Sequence, residues 1–207
     1  IMPSLVGSEM CIREAIIAYH HPGRTGKFLS VEDWKKIAET RSIIALKESS
    51  GDLSFIQQLQ QEIDIPILCG DDDILLPCFT LGAKGSISVM ANLFPSIWNK
   101  IVHALILKEE DKILEEYERL LPLMRTVFLE PNPIGIKYAM NQLGFCTEKV
   151  RLPLTGQAVT AAKNYQGING SSFYLYLEIF NKIYPFDGLN QMDILKFIYQ
   201  LTLFLIL

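Results

Sequence analysis

One lysine in this chain stands where an amine could become a nucleophile. Lys47 follows the apolar residues 43–46 and precedes residues 49–51, Ser-Ser-Gly, which have the composition of a turn. This pattern predicts a short buried strand that ends at the lysine. Because burial disfavours the ammonium form, such a lysine has a larger neutral fraction and can form a Schiff base with a keto acid. The alternative is a strand that ends in an ordinary solvated lysine.

Two further side chains could assist this lysine. Tyr19 ends an earlier predicted strand, and a phenol next to a cationic imine can act as a general acid or base. Arg24 lies in the predicted loop 22–26, where its planar guanidinium could bind a carboxylate through two hydrogen bonds. An ordinary strand-end aromatic and a solvated arginine are the alternatives for these two residues.

The remaining polar groups do not predict a metal site. His20 and His21 are adjacent, so their side chains point to opposite sides of an extended chain, and no third ligand is spaced near them. Residues 71–73 are three aspartates that more simply predict an acidic turn capping a helix. The four cysteines lie singly and predict reduced thiols. No metal or cofactor is therefore expected.

Composition limits the classes of function. With 207 residues, 49% of them hydrophobic, the chain can bury one substantial core. Its net charge of −4 and the lack of a Lys/Arg run argue against a nucleic-acid partner. The apolar residues 194–207 include polar ones and fall short of the roughly 20 that a membrane span needs. No secretion signal is recognised, so a cytoplasmic protein without membrane contact is expected.

Strands and helices alternate through the first half of the chain. The predicted strands are residues 15–19, 43–47, 65–69 and 85–89. The helices between them begin after two good N-cap residues, Ser30 and Asp52, and at residue 70. Such alternation implies parallel strands joined by right-handed crossovers. Lys47 then lies at the carboxyl end of a strand, where parallel α/β barrels build their active sites.

The second half of the chain has a different character. Its predicted helices are residues 95–108, 109–129 and 132–144, with Asn132 at the last N-cap and Pro133 at the first helical position. Residues 1–14 look like a non-native, adapter-like leader, and residues 164–207 like an atypical hydrophobic tail. The predicted domains between them are a set of four βα units, 15–94, and a helical region, 95–163.

Five motifs occur in an order and spacing that resemble a known family. They are Tyr19-x-x-Pro22-Gly23-Arg24-Thr25-Gly26, Ala45-Leu46-Lys47-Glu48-Ser49-x-Gly51-Asp52, Gly70-Asp71-Asp72, Gly85-Ser86-Ile87-Ser88-Val89 and Glu130-Pro131-Asn132-Pro133. In them the chain resembles, over residues 16–155, the carboxyl-terminal half of class I aldolases of the dihydrodipicolinate synthase and N-acetylneuraminate lyase family. The resemblance implies an α/β fold, a partial TIM (β/α)8 barrel of four βα units followed by a helical carboxyl-terminal extension.

The resemblance also implies roles for individual residues. Lys47 matches the lysine that forms a Schiff base with pyruvate, and Tyr19 matches the residue that relays protons. Arg24 matches the arginine that binds the carboxylate of the incoming aldehyde. Gly70 and Ile87 fall where the family lines the imine pocket with backbone.

The loop 22–26 is more like that of the synthases than that of the lyases. The implied reaction condenses pyruvate with L-aspartate 4-semialdehyde to hydroxy-tetrahydrodipicolinate, in lysine biosynthesis through diaminopimelate. The resemblance implies a homodimer or homotetramer without a cofactor. The alternatives are another pyruvate-dependent lyase of the family, a catalytically silent fragment and a phosphate-binding half-barrel. The last is weakened by the acids at 71–73, where a phosphate would need bare amides.

Two features depart from the family pattern. His20 and His21 stand where many relatives carry Asn and a small apolar residue. Only four of the eight βα units can be counted, so the chain alone is expected to be an inactive, open half-barrel with two unpaired edge strands. Lys47 would then face water, and its amine would remain largely protonated.

Overall fold

The computed structural model describes residues 16–40 and 42–155. These residues form two compact units. The first contains the described residues up to 88 together with residues 105–108, and the second contains residues 89–104 and those from 109 to 155. Within these ranges, no helix combines the length and the apolar character needed to cross a membrane. The predicted site residues all lie in the first unit.

A four-stranded parallel sheet organises the first unit. Its strands are β1 (Ile16–His20), β2 (Ile43–Glu48), β3 (Ile67–Cys69) and β4 (Gly85–Ser86). Each strand pairs in parallel with the next one along the chain. The predicted parallel βα arrangement is therefore confirmed, and the carboxyl ends of the four strands meet at one edge of the sheet.

Four helices accompany these strands. They are α1 (Pro22–Thr25), α2 (Val31–Ala38), α3 (Leu53–Glu62) and α4 (Leu75–Thr80), the last preceded by the 3-10 turn Asp72–Ile74. Both predicted N-caps are confirmed. Ser30 forms a capping box with Asp33, and the Asp52 carboxylate accepts a hydrogen bond from the Phe55 N–H at 3.0 Å. Each cap satisfies an N–H that the first helical turn leaves without a partner.

The core of the first unit lies between one face of the sheet and helices α2 and α3. Trp34, Phe55 and Leu59 from the helices pack with Leu46 and Ile67 from the strands, and none is more than 5% exposed. Burying a side chain of this size stabilises the fold by about 1.5–3 kcal/mol. Since side chains alternate along a strand, the residue that follows Leu46 faces away from this core. That residue is the candidate lysine.

Three predicted boundaries in this unit are wrong. β3 begins at Ile67 rather than at residue 65, because Pro66 has no N–H to give to the sheet. β4 ends at Ser86 rather than at residue 89, since Val89 is already helical, with φ −76° and ψ −37°. The predicted loop 22–26 contains the helical turn α1, which ends at Gly26 in the left-handed region with φ 67°.

The second unit is helical, as predicted. It opens with the 3-10 turn Met90–Asn92 and contains α5 (Pro95–Ile106), the 3-10 turn Glu110–Lys112, α6 (Leu114–Val127) and α7 (Ile134–Gln142). The last residues of α5, from Leu105, belong to the first unit. Trp98, Ile101 and Val102 are buried at the helical spacing that the sequence predicts.

Two details of this region differ from the sequence-based expectation. The single helix predicted over 109–129 is divided, because Ile113 is non-helical with φ −125° and ψ −6°. Asn132 is not the N-cap of α7, a position held by Pro133. The Ile134 N–H donates to the Pro131 carbonyl at 3.0 Å, and this turn delays the first helical residue to Ile134.

The cap at Asp52 provides a test of the α3 boundary. Asp52→Ala should destabilise the chain by about 0.5–2 kcal/mol, because the Phe55 N–H loses its acceptor. Asp52→Asn keeps an acceptor oxygen and is the matched control, with a smaller expected loss. Urea unfolding of the three proteins measures the difference. Equal midpoints for the alanine variant and the wild-type chain would show that the cap contributes nothing.

Candidate active site

Two of the predicted site residues lie side by side on adjacent strands. The parallel register pairs Tyr19 of β1 with Lys47 of β2. Lys47 Nζ lies 4.4 Å from the centroid of the Tyr19 ring, which is a cation–π distance. The Tyr19 side chain is also open to solvent, since the residue is 48% exposed. The amine and the phenol are therefore within reach of a single bound molecule.

The backbone at Gly70 closes the space beside this lysine. Its N–H donates to the Glu48 carbonyl at 2.8 Å, directly after β3. A Cβ at this position would lie 1.8 Å from Ser49 Oγ and 2.8 Å from Lys47 Cε. Only glycine therefore fits here without displacing the lysine side chain. The predicted pocket residue Gly70 thus adjoins the lysine through its main chain.

Burial lowers the pKa of the Lys47 amine below that of a solvated lysine, because the charged form loses hydration. The carboxylates of Asp72 and Asp71 oppose this shift of the pKa without cancelling it, and the positive charge of Arg24 adds to it. Lys47 is partly buried. It is thus neither fully exposed to water, as the open half-barrel predicts, nor fully enclosed.

Asp71 supplies an acid next to the amine. Burial, together with the charges of Glu48, Asp73 and Asp72, raises the pKa of Asp71 to about 6, although the charge of Lys47 acts in the opposite direction. The predicted capping role is not observed at this residue. Asp71 holds the N-cap position of the 3-10 turn Asp72–Ile74, but its side chain makes no capping hydrogen bond. The acidic turn instead concentrates negative charge around the lysine.

Arg24 lies in the helical turn α1, which follows β1 almost directly. The residue is exposed. Burial is the main cause that lowers the pKa of His21 and of Lys47, and the charge of Arg24 lowers both further. The positive charge of Arg24 therefore acts on both side chains. An exposed, permanently charged group of this kind suits a carboxylate that arrives from solvent.

Ile87, the last of the predicted site residues, follows β4. Its N–H donates to the Cys69 carbonyl at 2.9 Å, and the residue is 38% exposed. The N–H is therefore committed to the sheet. Only the exposed part of Ile87, near the end of β3, is therefore open to a ligand at this position.

Sequence reasoning missed a buried polar pair behind the lysine. His20 Nδ1 lies 2.9 Å from Glu48 Oε1, and neither side chain is more than 3% exposed. The adjacent His21 points elsewhere, with its ring against Tyr19. Across residues 16–40 and 42–155, no group of three His, Cys, Asp or Glu side chains is arranged to hold a metal ion. The parallel pairing of β1 with β2 could have revealed the His20–Glu48 pair, because it sets the last residues of the two strands, His20 and Glu48, side by side.

Comparisons with known proteins identify relatives of this chain. The dihydrodipicolinate synthetase family profile matches residues 11–167. The 4-hydroxy-tetrahydrodipicolinate synthase of Caldicellulosiruptor bescii is 38% identical over 141 residues, which are 68% of this chain and 48% of that enzyme. The chain thus spans about half the length of the curated relatives it matches.

Solved structures show the same relationship. The 4-hydroxy-tetrahydrodipicolinate synthase from Methylacidiphilum fumariolicum SolV is 27% identical, with a TM-score of 0.73 over 82% of this chain and 57% of that one. The dihydrodipicolinate synthase from Acinetobacter baumannii, complexed with pyruvate, is 29% identical, with a TM-score of 0.71 over 76% and 55%. The predicted partial TIM barrel is therefore confirmed. With a family match that covers more than half of its length, the chain belongs to the dihydrodipicolinate synthetase family.

Proposed function

We propose that this chain carries the Schiff-base part of a 4-hydroxy-tetrahydrodipicolinate synthase, a lyase that condenses pyruvate with L-aspartate 4-semialdehyde. The observation that carries the proposal is the partly buried Lys47, with a lowered pKa, against the ring of Tyr19. The family match and the relatives of that name support the same reaction. A related structure, that from Acinetobacter baumannii, was solved with pyruvate bound.

The chemistry begins at Lys47. Its neutral amine attacks the keto carbon of pyruvate, and the carbinolamine that results loses water to give an imine. Loss of a methyl proton from the imine gives an enamine, whose carbon attacks the aldehyde carbon of the semialdehyde and forms the new C–C bond. Tyr19 gives and takes protons at these centres, a role supported by its ring, whose centroid lies 4.4 Å from the amine nitrogen.

The remaining site residues act on binding. Arg24 holds the carboxylate of L-aspartate 4-semialdehyde, since it is an exposed cation close to the lysine. Gly70 and Ile87 line the imine pocket with main chain and an exposed side chain. The enzyme needs no cofactor, because the amine itself forms the covalent intermediate. A place in lysine biosynthesis, a cytoplasmic location and assembly as a homodimer or homotetramer belong to the same proposal.

Borohydride trapping tests the imine. Reduction in the presence of pyruvate should add one pyruvyl unit to the chain, at Lys47 in a peptide mass map. The trapping rate should rise with pH and have its midpoint below about 10.4, the value of a free lysine. Lys84→Ala, at an exposed lysine, should trap normally. A label that persists in Lys47→Ala would assign the imine to another residue.

The charges around the lysine should shift this midpoint in opposite directions. Asp71→Asn removes a negative charge that raises the pKa of Lys47, so the midpoint should fall. Arg24→Ala removes a positive charge that lowers the same pKa, so the midpoint should rise. Asp111→Asn removes an exposed carboxylate in the second unit and should leave the midpoint of trapping unchanged. If Asp71→Asn and Arg24→Ala shift the midpoint in the same direction, these two charges do not set the pKa of Lys47 in the way described.

Arg24→Ala should also weaken use of the aldehyde more than formation of the pyruvate imine. Losing a charged contact to a carboxylate costs about 2 to 4 kcal/mol, or roughly thirty- to a thousandfold in the specificity constant for L-aspartate 4-semialdehyde. Lys27→Ala removes an exposed cation from the same loop and is the control. Normal aldehyde use together with lost imine formation would show that Arg24 serves pyruvate instead.

A further inference from the structure

A buried histidine–glutamate pair joins the carboxyl ends of β1 and β2. Nδ1 of His20 lies 2.9 Å from Oε1 of Glu48, and that oxygen also accepts from the Ser50 N–H at 2.9 Å. The main-chain carbonyl of His20 accepts from the Ser49 N–H at 2.9 Å. Both the side chain and the backbone of one histidine therefore bind the residues directly after Lys47.

The second ring nitrogen of His20 reaches the loop that follows α1. The Leu29 N–H donates to His20 Nε2 at 3.4 Å. Because a backbone N–H can only donate, Nε2 is the acceptor, and the N–H at Nδ1 donates a hydrogen bond to Glu48 Oε1. The imidazole is thus oriented by a partner on each side. Arg24 lies in the same connection, between β1 and Leu29.

Apolar rings surround this imidazole. The ring centroids of Phe28, Trp34 and Phe55 lie 5.1, 5.4 and 5.3 Å from that of His20. Burying a polar pair among them has a desolvation cost that an apolar residue of similar size would avoid. Packing alone therefore does not account for the pair, whereas its directed hydrogen bonds do fix one arrangement of the two strand ends.

We propose that His20 is a positioning residue for the reaction described above, an inference that rests on the imine at Lys47. By binding Glu48, it holds the ends of β1 and β2 in the register that sets the Tyr19 ring 4.4 Å from the lysine Nζ. By binding the Leu29 N–H, it holds the loop after α1. His20 does not touch the substrate, because its side chain lies on the helix-covered face of the sheet.

Three variants of the 207-residue chain separate positioning from general stability. His20→Leu removes both side-chain hydrogen bonds. His20→Asn keeps an amide N–H for Glu48, but its shorter side chain places no acceptor at the position of Nε2, to which the Leu29 N–H donates. His103→Leu makes the same change at an exposed histidine of α5 and is the matched control. Circular dichroism verifies folding. The readouts are the rate of imine trapping with pyruvate and borohydride, and the NMR cross-peaks between the Tyr19 ring and the Lys47 side chain.

The variants should give three different results. His20→Leu should lose the cross-peaks and slow trapping about ten- to a hundredfold, the scale of effect expected for a misplacement near 1 Å. His20→Asn should keep the cross-peaks and trap at nearly the wild-type rate, while its Leu29 amide exchanges faster with solvent. His103→Leu should match the wild type in each readout.

Cross-peaks that survive in folded His20→Leu, or vanish in folded His20→Asn, would overturn the positioning role. If His20→Leu does not fold, His20→Asn decides: kept cross-peaks with faster Leu29 exchange support the role, and lost cross-peaks overturn it. If the wild-type chain traps no pyruvate, that result bears on the imine at Lys47 and on the expected inactivity of this chain by itself, and not on His20. The cross-peaks then still decide the role of His20, because they do not depend on activity.

Discussion

Backbone hydrogen bonds between β1 and β2 determine which side chains meet at the end of the sheet. The register pairs Tyr19 with Lys47 and, one residue on, His20 with Glu48. Because side chains alternate, the first pair lies on the open face and the second on the face covered by helices. A shift of one residue would exchange the two faces and bury the amine in the apolar core. The chemistry of the open face therefore depends on a pairing that the covered face stabilises.

Burial and the neighbouring carboxylates shift the pKa of Lys47 in opposite directions. Burial favours the neutral amine, while the carboxylates of Asp72 and Asp71 favour the ammonium. In return, Lys47 favours the ionised form of Asp71, whose pKa burial and its acidic neighbours raise to about 6. Burial therefore moves the pKa of the amine down and that of the acid up, which brings the two values closer together. This property suits a reaction that both forms and hydrolyses an imine.

The sequence predicted those parts of the structure that local chemistry determines. The apolar run before Lys47 and the caps at Ser30 and Asp52 depend on neighbouring residues, and all were identified. The turn from Pro131 to Ile134 and the early helical backbone at Val89 were misplaced. Both lie where an element begins or ends, and the pattern of apolar residues defines such boundaries poorly. The missed pair has a different reason. His20 and Glu48 are 28 residues apart, and only the register of two strands brings them together.

The close approach of Gly70 to Lys47 Cε is a requirement for space and not an attraction. Because glycine has no side chain, this position cannot distinguish one second substrate from another. In the proposed reaction, the constraint at Gly70 is therefore independent of which aldehyde is used, whereas exposed groups such as Arg24 can change with the aldehyde. The proposed function thus divides the site into a steric part that preserves the covalent chemistry and a peripheral part on which new specificities can evolve.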